Sequence, residues 1–285
     1  MNGKAAMAGK LCVVTGATSG IGLVAAERLA AAGARLILVG RDKARGEAAR
    51  TRIQRHAPGA QLTLRYADLS LVAEMNRLAA EIAAAEPRID VLINNAGAMF
   101  TSRSVTADGL ERTFALNHMA YFVLASRLRG ALATAAPARI VNVASEAHRG
   151  NVLDFADLQS ARGYRGFRVY GRSKLANILF TRELARRLEG SGITANCLHP
   201  GFVASRFGDN NPGLPRLGIG IAKRFFALSP EQGAETVVYL AASPEVAGVT
   251  GGYFDKCRVR LPSAQAQDDA AARRLWEESA KLAGL

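Results

Sequence analysis

The chain is poor in cysteine and histidine and short of acid. Its three cysteines, Cys12, Cys197 and Cys257, are odd in number and share no metal-ligand spacing, so they read as reduced thiols rather than a disulfide framework. Four scattered histidines form no H-E-x-x-H pattern, and no metal site is implied. No run approaches the roughly 18 continuous apolar residues of a membrane span. The opening residues, Met1 to Lys10, lack the apolar core of a signal peptide. These absences lead to the expectation of a soluble, cytoplasmic protein. Acidic residues number 24 against 37 lysines and arginines, a formal charge of +13. Such an excess is one signature of nucleic-acid binding. Here the arginines are spread along every predicted helix and do not cluster with aromatics. Solvated arginine-rich helix faces account for most of them, with a polyanionic cofactor as a further use. No nucleic-acid partner is expected.

What is present is an α/β pattern. An apolar fraction of 49% supports a sizeable core and excludes disorder. The 285 residues fit one large domain, expected over 1–285. Short β-branched runs alternate with alanine-rich helical runs. Strands are predicted at Leu11–Thr15, Arg35–Val39, Gln61–Tyr66, Ile89–Ile93, Arg139–Val143, Ile193–Leu198 and Gly252–Phe254. Helices are predicted at Ile21–Ala32, Lys43–His56, Leu71–Ala85, Leu110–Thr134, Phe167–Leu188 and Glu231–Ala241. Near-continuous apolar strands mean a sheet covered on both faces. The alternation predicts a Rossmann-type, doubly wound sheet of seven parallel strands with helices on both faces. The irregular stretch 202–228 reads as a lid over a substrate pocket or as a surface excursion.

Two local patterns carry chemistry. The first strand runs into Thr15-Gly16-Ala17-Thr18-Ser19-Gly20-Ile21-Gly22 and then a helix. Gly16 permits the tight turn, Gly20 admits a pyrophosphate, and Gly22 lets helix and strand pack closely. The helix N-terminus then presents free N–H groups to phosphate, with Thr18, Ser19 and Ile21 in the same cradle. At the tip of the second strand, where an NAD-preferring fold carries a carboxylate, this chain has Gly40 and Arg41. A guanidinium there suits the 2′-phosphate of NADP(H), with Asp42 as a competing partner for Arg41. The second pattern is Tyr170 and Lys174, four residues apart and so on one helix face. A fixed ammonium favours phenolate and lowers the tyrosine pKa, which would make Tyr170 a proton donor and acceptor. By itself the pair also fits a solvated helix face.

Taken in order, these segments resemble the short-chain dehydrogenase/reductase family over nearly the whole length. The residues that carry the resemblance are the glycine cradle, Asp68, Asn94-Asn95-Ala96-Gly97, Asn117, Ser145, Tyr170 with Lys174, and Pro200-Gly201. Within the family, Ser145-Glu146-Ala147-His148, the run Tyr170–Phe180, His199-Pro200-Gly201 and the tail with Trp276 are most similar to retinol-dehydrogenase-like members, which include relatives of the WW-domain oxidoreductase. The hydrophobic N-terminal anchor of the membrane-bound animal enzymes is missing from this sequence.

The resemblance implies an NADP(H)-dependent oxidoreductase moving a hydride between nicotinamide and a carbonyl or alcohol. Tyr170 would exchange the proton, Lys174 would lower its pKa and hold the nicotinamide ribose, and Ser145 would bond the same oxygen. Asn117 would bind a water linking Lys174 to solvent. Asp68 and Leu69 would meet the adenine, Asn95, Ala96 and Gly97 the adenosine ribose, and Pro200, Gly201, Val203 and Ser205 the carboxamide or pyrophosphate. Dimers or tetramers are usual in the family, so a homo-oligomer is expected. Phenylalanines, leucines and glycines fill the regions 147–167 and 202–228, favouring a hydrophobic small-molecule substrate. Arg149, Arg162, Arg165, Arg168 and Arg206 keep a carboxylate-bearing substrate open. Phe155, Tyr164 and Phe167 line a substrate wall or anchor the long loop, and His148 reaches substrate or caps a surface turn. A non-catalytic NADPH-binding regulator is the other reading; it has no need of the tyrosine, lysine and serine that are all present.

Overall fold

The computed structural model describes residues 6–202 and 228–285. One sheet organises them, built from β1 (Leu11–Thr15), β2 (Arg35–Gly40), β3 (Leu62–Tyr66), β4 (Val91–Asn94), β5 (Ala138–Val143), β6 (Ile193–His199), β7 (Tyr253–Asp255) and β8 (Arg258–Arg260). Their spatial order is β3-β2-β1-β4-β5-β6-β7-β8. The pairs from β3 to β7 are parallel. β8 is a correction to the seven-stranded expectation, running antiparallel to β7. It follows a two-residue turn whose central residues, Lys256 and Cys257, both have positive φ (49° and 59°), the backbone a tight hairpin requires. Arg-Val-Arg has too little apolar content to announce a strand, and its charges blunt the exposed sheet edge.

Both faces of the sheet are covered, and the strands alternate between two cores with the period of two that a pleat imposes. Leu11 and Val13 enter one core while Cys12 and Val14 enter the other; Ile37 and Val39 oppose Leu36 and Leu38 in the same way. The second core is closed by α1 (Gly20–Ala31), α2 (Lys43–His56) and a helix over Pro230–Ala242. The first is closed by α3 (Val72–Ala85), by Gly166–Arg187 and by segments between Arg112 and Ala135. The long helix expected over Leu110–Thr134 is broken into α4 (Arg112–Phe114), a π-turn (Ala115–Met119), α5 (Ala120–Arg127) and α6 (Arg129–Ala135). The N–H of Ala120 bonds the carbonyl of Ala115, five residues back. Such widened turns gather at functional sites, and this one contains Asn117.

Among the described residues the later helices in chain order are α7 (Gly166–Arg187), α8 (Pro230–Ala242) and α9 (Asp269–Ala283). α9 was not expected. Its Asp268 cap accepts from Ala271 N at 2.9 Å, and it ends on left-handed Gly284. Ala272, Leu275, Ser279 and Ala283 form its buried face. It packs on α7, where Trp276 stacks against Phe180 (centroids 5.9 Å apart) and Asp269 pairs with Arg182 and Arg186. Among the described residues no helix is long and apolar enough to cross a membrane.

Candidate active site

Strand order reverses between β1 and β4, and open parallel sheets bind ligands in the crevice at that switch point. A cleft of about 1000 Å³ lies there. Every described catalytic and cofactor candidate from the sequence lines it except Gly22 and Asn117, which stand just behind the wall. Of the described substrate candidates only Arg149 and Phe167 do, and His148, Phe155, Tyr164, Arg162, Arg165 and Arg168 do not. Val203, Ser205, Arg206 and the proposed lid, apart from its end residues Phe202 and Leu228, lie outside the described residues.

At one end the wall is main chain. Gly16 and Gly20 adopt φ of +66° and +55°, which only glycine adopts without cost. A Cβ on Gly22 would collide with the Asn95 side-chain amide and the Gly16 carbonyl. Asn95 Nδ2 donates to Thr15 O at 2.9 Å, while Thr15 Oγ1 accepts from the backbone of Asn95 and Ala96 at 2.9 and 3.1 Å. The β4 loop is thus hung on β1. Ser19, at the start of α1, makes no side-chain cap, and no acid occupies the first helical turn. The leading N–H groups of α1 therefore remain available to an anion, and the cradle fits a dinucleotide pyrophosphate.

Beyond β2, Arg41 is half-exposed and its partner is Asp68, at 3.8 Å. The competing partner, Asp42, is committed elsewhere. It caps α2 by accepting from Arg45 N at 2.9 Å, and it pairs with the Arg45 side chain at 3.4 Å. Asp68 also accepts from Ser70 N and Ser70 Oγ at 3.0 and 2.7 Å. Arg45 lines the cleft beside Arg41 and was missed from sequence. Its signal was a second arginine one helical turn after the first.

At the other end the wall is made of side chains. Ser145 ends the turn after β5, and its hydroxyl bonds the Tyr170 phenol. Lys174 is 3% exposed. Its Nζ donates to Val143 O at 2.9 Å and lies 5.6 Å from the centroids of both Tyr170 and Tyr121. Burial draws the ammonium down to about 7. Burial also pushes the Tyr170 phenol up to about 12, against the lowering influence of Ser145. The expected lowering of the Tyr170 pKa by Lys174 is not seen: burial dominates, and the opposing influence comes from the Ser145 hydroxyl.

Asn117 is fully buried. Its Oδ1 accepts from Ala98 N at 2.8 Å, and its Nδ2 donates to Ala98 O and Ser173 Oγ at 2.9 and 3.0 Å. It ties the loop bearing Gly97 to the helix bearing Lys174. A Cβ on Gly97 would stand 3.1 Å from Asn117 Oδ1 and 3.5 Å from Lys174 Nζ, so glycine permits that approach.

His148 does not line the cleft, nor does it cap a surface turn. It is fully buried, its Nε2 accepting from Ser263 N at 3.1 Å. That fixes the proton on Nδ1, which donates to Ser145 O at 2.7 Å. The histidine holds the serine turn to the C-terminal segment. The three loop aromatics divide. Tyr164 donates to Phe100 O at 2.9 Å and Phe155 carries the Arg274 guanidinium at 4.5 Å, so both anchor structure. Phe167 is exposed and faces the cleft.

The family model described as short chain dehydrogenase matches residues 10–212. Retinol dehydrogenase 14 of Mus musculus is 41% identical over 98% of this chain and 87% of its own length. Among solved structures, an uncharacterized protein from Mycobacterium paratuberculosis aligns with a TM-score of 0.78 and 30% identity, over 97% of this chain and 94% of that one. The Pseudomonas aeruginosa RhlG/NADP active-site complex aligns with a TM-score of 0.71 and 28% identity, over 93% and 100%.

Proposed function

Because the chain belongs to the short chain dehydrogenase family, we propose that it is an NADP(H)-dependent oxidoreductase whose favoured reaction is reduction of an aldehyde or ketone on a hydrophobic small molecule. One observation carries this reading: the bonded pair Ser145 and Tyr170, with Lys174 beside them, opens into the same cleft as the uncapped glycine cradle. A nucleotide in the cradle and a carbonyl at Tyr170 would therefore share one enclosed space.

The residues present fit the cofactor. Gly16 to Gly22 and the N-terminus of α1 would hold the pyrophosphate. Arg41, with Arg45 beside it, supports a 2′-phosphate. Asp68 and Leu69 would border the adenine, and Asn95, Ala96 and Gly97 the ribose. Pro200 and Gly201 would border the nicotinamide end, as would Val203 and Ser205 by their place in the chain. The nicotinamide supplies the hydride in reduction and accepts it in oxidation. Tyr170, held protonated across neutral pH, would give its proton to the carbonyl oxygen in reduction. Ser145 donates to the same oxygen and stabilises its developing charge. Lys174, as its ammonium, would compensate the phenolate left behind and would hold the nicotinamide ribose. Asn117 keeps Lys174 and the Gly97 loop in register. A relative named a retinol dehydrogenase and a neighbour solved with NADP support the substrate class and the cofactor.

The test is NADPH oxidation at neutral pH across apolar aldehydes and ketones, retinal included, with NADH run in parallel. Turnover that favours NADPH is expected. Tight NADPH binding without turnover of any carbonyl would replace the enzyme by a nucleotide-binding regulator.

A further inference from the structure

Among the described residues four arginines line the cleft: Arg41, Arg45, Arg112 and Arg149. Three have a carboxylate partner. Arg41 meets Asp68 at 3.8 Å, Arg45 meets Asp42 at 3.4 Å, and Arg149 meets Glu146 at 2.6 Å. Arg112 has no acidic partner among the described residues; its guanidinium lies over the Phe100 ring, 4.5 Å from the centroid. The neighbouring Glu111 does not supply one. That carboxylate is fully buried and accepts from Thr113 N at 2.7 Å and Phe114 N at 2.8 Å, capping α4.

Resting on the oxidoreductase reading, we propose that Arg112 determines substrate specificity by binding a carboxylate at the far end of the substrate's apolar chain. Arg112 stands on the chemical side of the cleft. Phe100 lies beneath it, and Leu116, four residues on, lines the same wall just before Asn117. Phe167 and Phe202 are exposed at the same end. A wholly hydrocarbon substrate would cover this half-buried guanidinium and leave it unpaired, which is costly. A carboxylate reverses that cost through a two-pronged, charge-assisted bond to the edge of a group whose face rests on Phe100. One guanidinium matches one carboxylate charge, whereas a phosphate monoester carries nearly two at neutral pH. The fitting class is therefore a carbonyl compound with an apolar chain and a terminal acid, such as an ω-oxo fatty acid. Sequence reading had kept an acidic substrate open on Arg149, Arg162, Arg165, Arg168 and Arg206. Arg149 is paired with Glu146, and Arg162 lies 3.8 Å from both Asp154 and Asp157.

The experiment compares an ω-oxo fatty acid, its methyl ester and the n-alkanal of equal length, reduced with NADPH by the wild type, Arg112→Met and Arg112→Lys. The wild type is expected to favour the acid over the ester by roughly tenfold or more in kcat/KM, expressed through KM. Arg112→Met should level the two by losing only the acid's advantage. Arg112→Lys should keep part of it, because the charge remains without the fork. Equal use of acid and ester by the wild type, or an unchanged ratio in Arg112→Met, overturns the proposal. A second arm needs no turnover: calorimetric binding of a medium-chain fatty acid and its methyl ester to the NADP⁺-loaded protein. Tighter binding of the acid, abolished in Arg112→Met, upholds the site even if no carbonyl is reduced, and that failure would then belong to the oxidoreductase reading. Equal binding of acid and ester overturns the site.

Discussion

Under β1 and β2 the cleft wall is backbone: left-handed glycines, the open N-terminus of α1 and a loop hung on Thr15. Under β5 the wall is side chains drawn from separate segments: Ser145, Tyr170, Lys174 and Arg112, with Asn117 braced behind them. The first end fits something every dinucleotide shares, so on the proposed reading shape and N–H groups suffice. The second end, where the proposed chemistry falls, needs groups whose protonation is set by burial. The lesson is that a contiguous run can build a binding end, whereas the reacting end needs the sheet to bring distant residues together.

Substitutions at the two ends should therefore fail differently. The largest effect is expected from Tyr170→Phe, with kcat falling about 10²–10⁴-fold while NADPH titration gives an unchanged Kd. Parallel loss of nucleotide affinity would show that the two ends are not separable. Gly22→Ala should do the converse. Its Cβ has no room against Asn95 and Gly16, so thermal unfolding should show a loss of about 1–3 kcal/mol together with weakened NADPH binding. Next, Arg41→Ala should weaken NADPH by roughly tenfold to a hundredfold and NADH far less, read by competitive titration. Equal losses would remove the 2′-phosphate role.

Lys174 sharpens the contrast through pH. Burial lowers its pKa from 10.5 to about 7. Below about 7 both folded and unfolded chains carry the proton, and the buried charge costs stability in full. Between about 7 and 10.5 the unfolded chain holds more of the proton than the folded one, so stability rises with pH through that window. Urea midpoints should show the wild type gaining on Lys174→Met as pH climbs from 7 toward 10, and a flat difference would refute the shift. The smallest effect is expected from Ser279→Ala. Ser279 Oγ lies 2.8 Å from Nε2 of the buried His118, next to Asn117. Leaving that nitrogen unpartnered should cost about 1 kcal/mol in denaturant unfolding.

Much of the fold was legible because strand and helix periods are written locally. The seven parallel strands and the glycine cradle follow from short runs of residue type. β8 escaped because three residues bearing two arginines carry no apolar alternation. α9 escaped despite a readable cap, a terminal glycine and a periodic face. The π-turn escaped because its only trace is an asparagine inside an apolar helix, and the alternative partners of that asparagine lie in Ala98 and Ser173. His148 was misread because its acceptor role depends on Ser263, far along the chain.

The sequence by itself determined the sheet, the glycine-rich turn and the residue types at the proposed site, because each is encoded by residue type at short spacing. Only the tertiary structure decided their state. It paired Arg41 with Asp68 and Asp42 with Arg45, and it left Arg112 on Phe100. It also moved the Lys174 and Tyr170 pKa values in opposite directions. Partnership and desolvation are properties of which distant side chains meet, and that information appears only when the chain has folded.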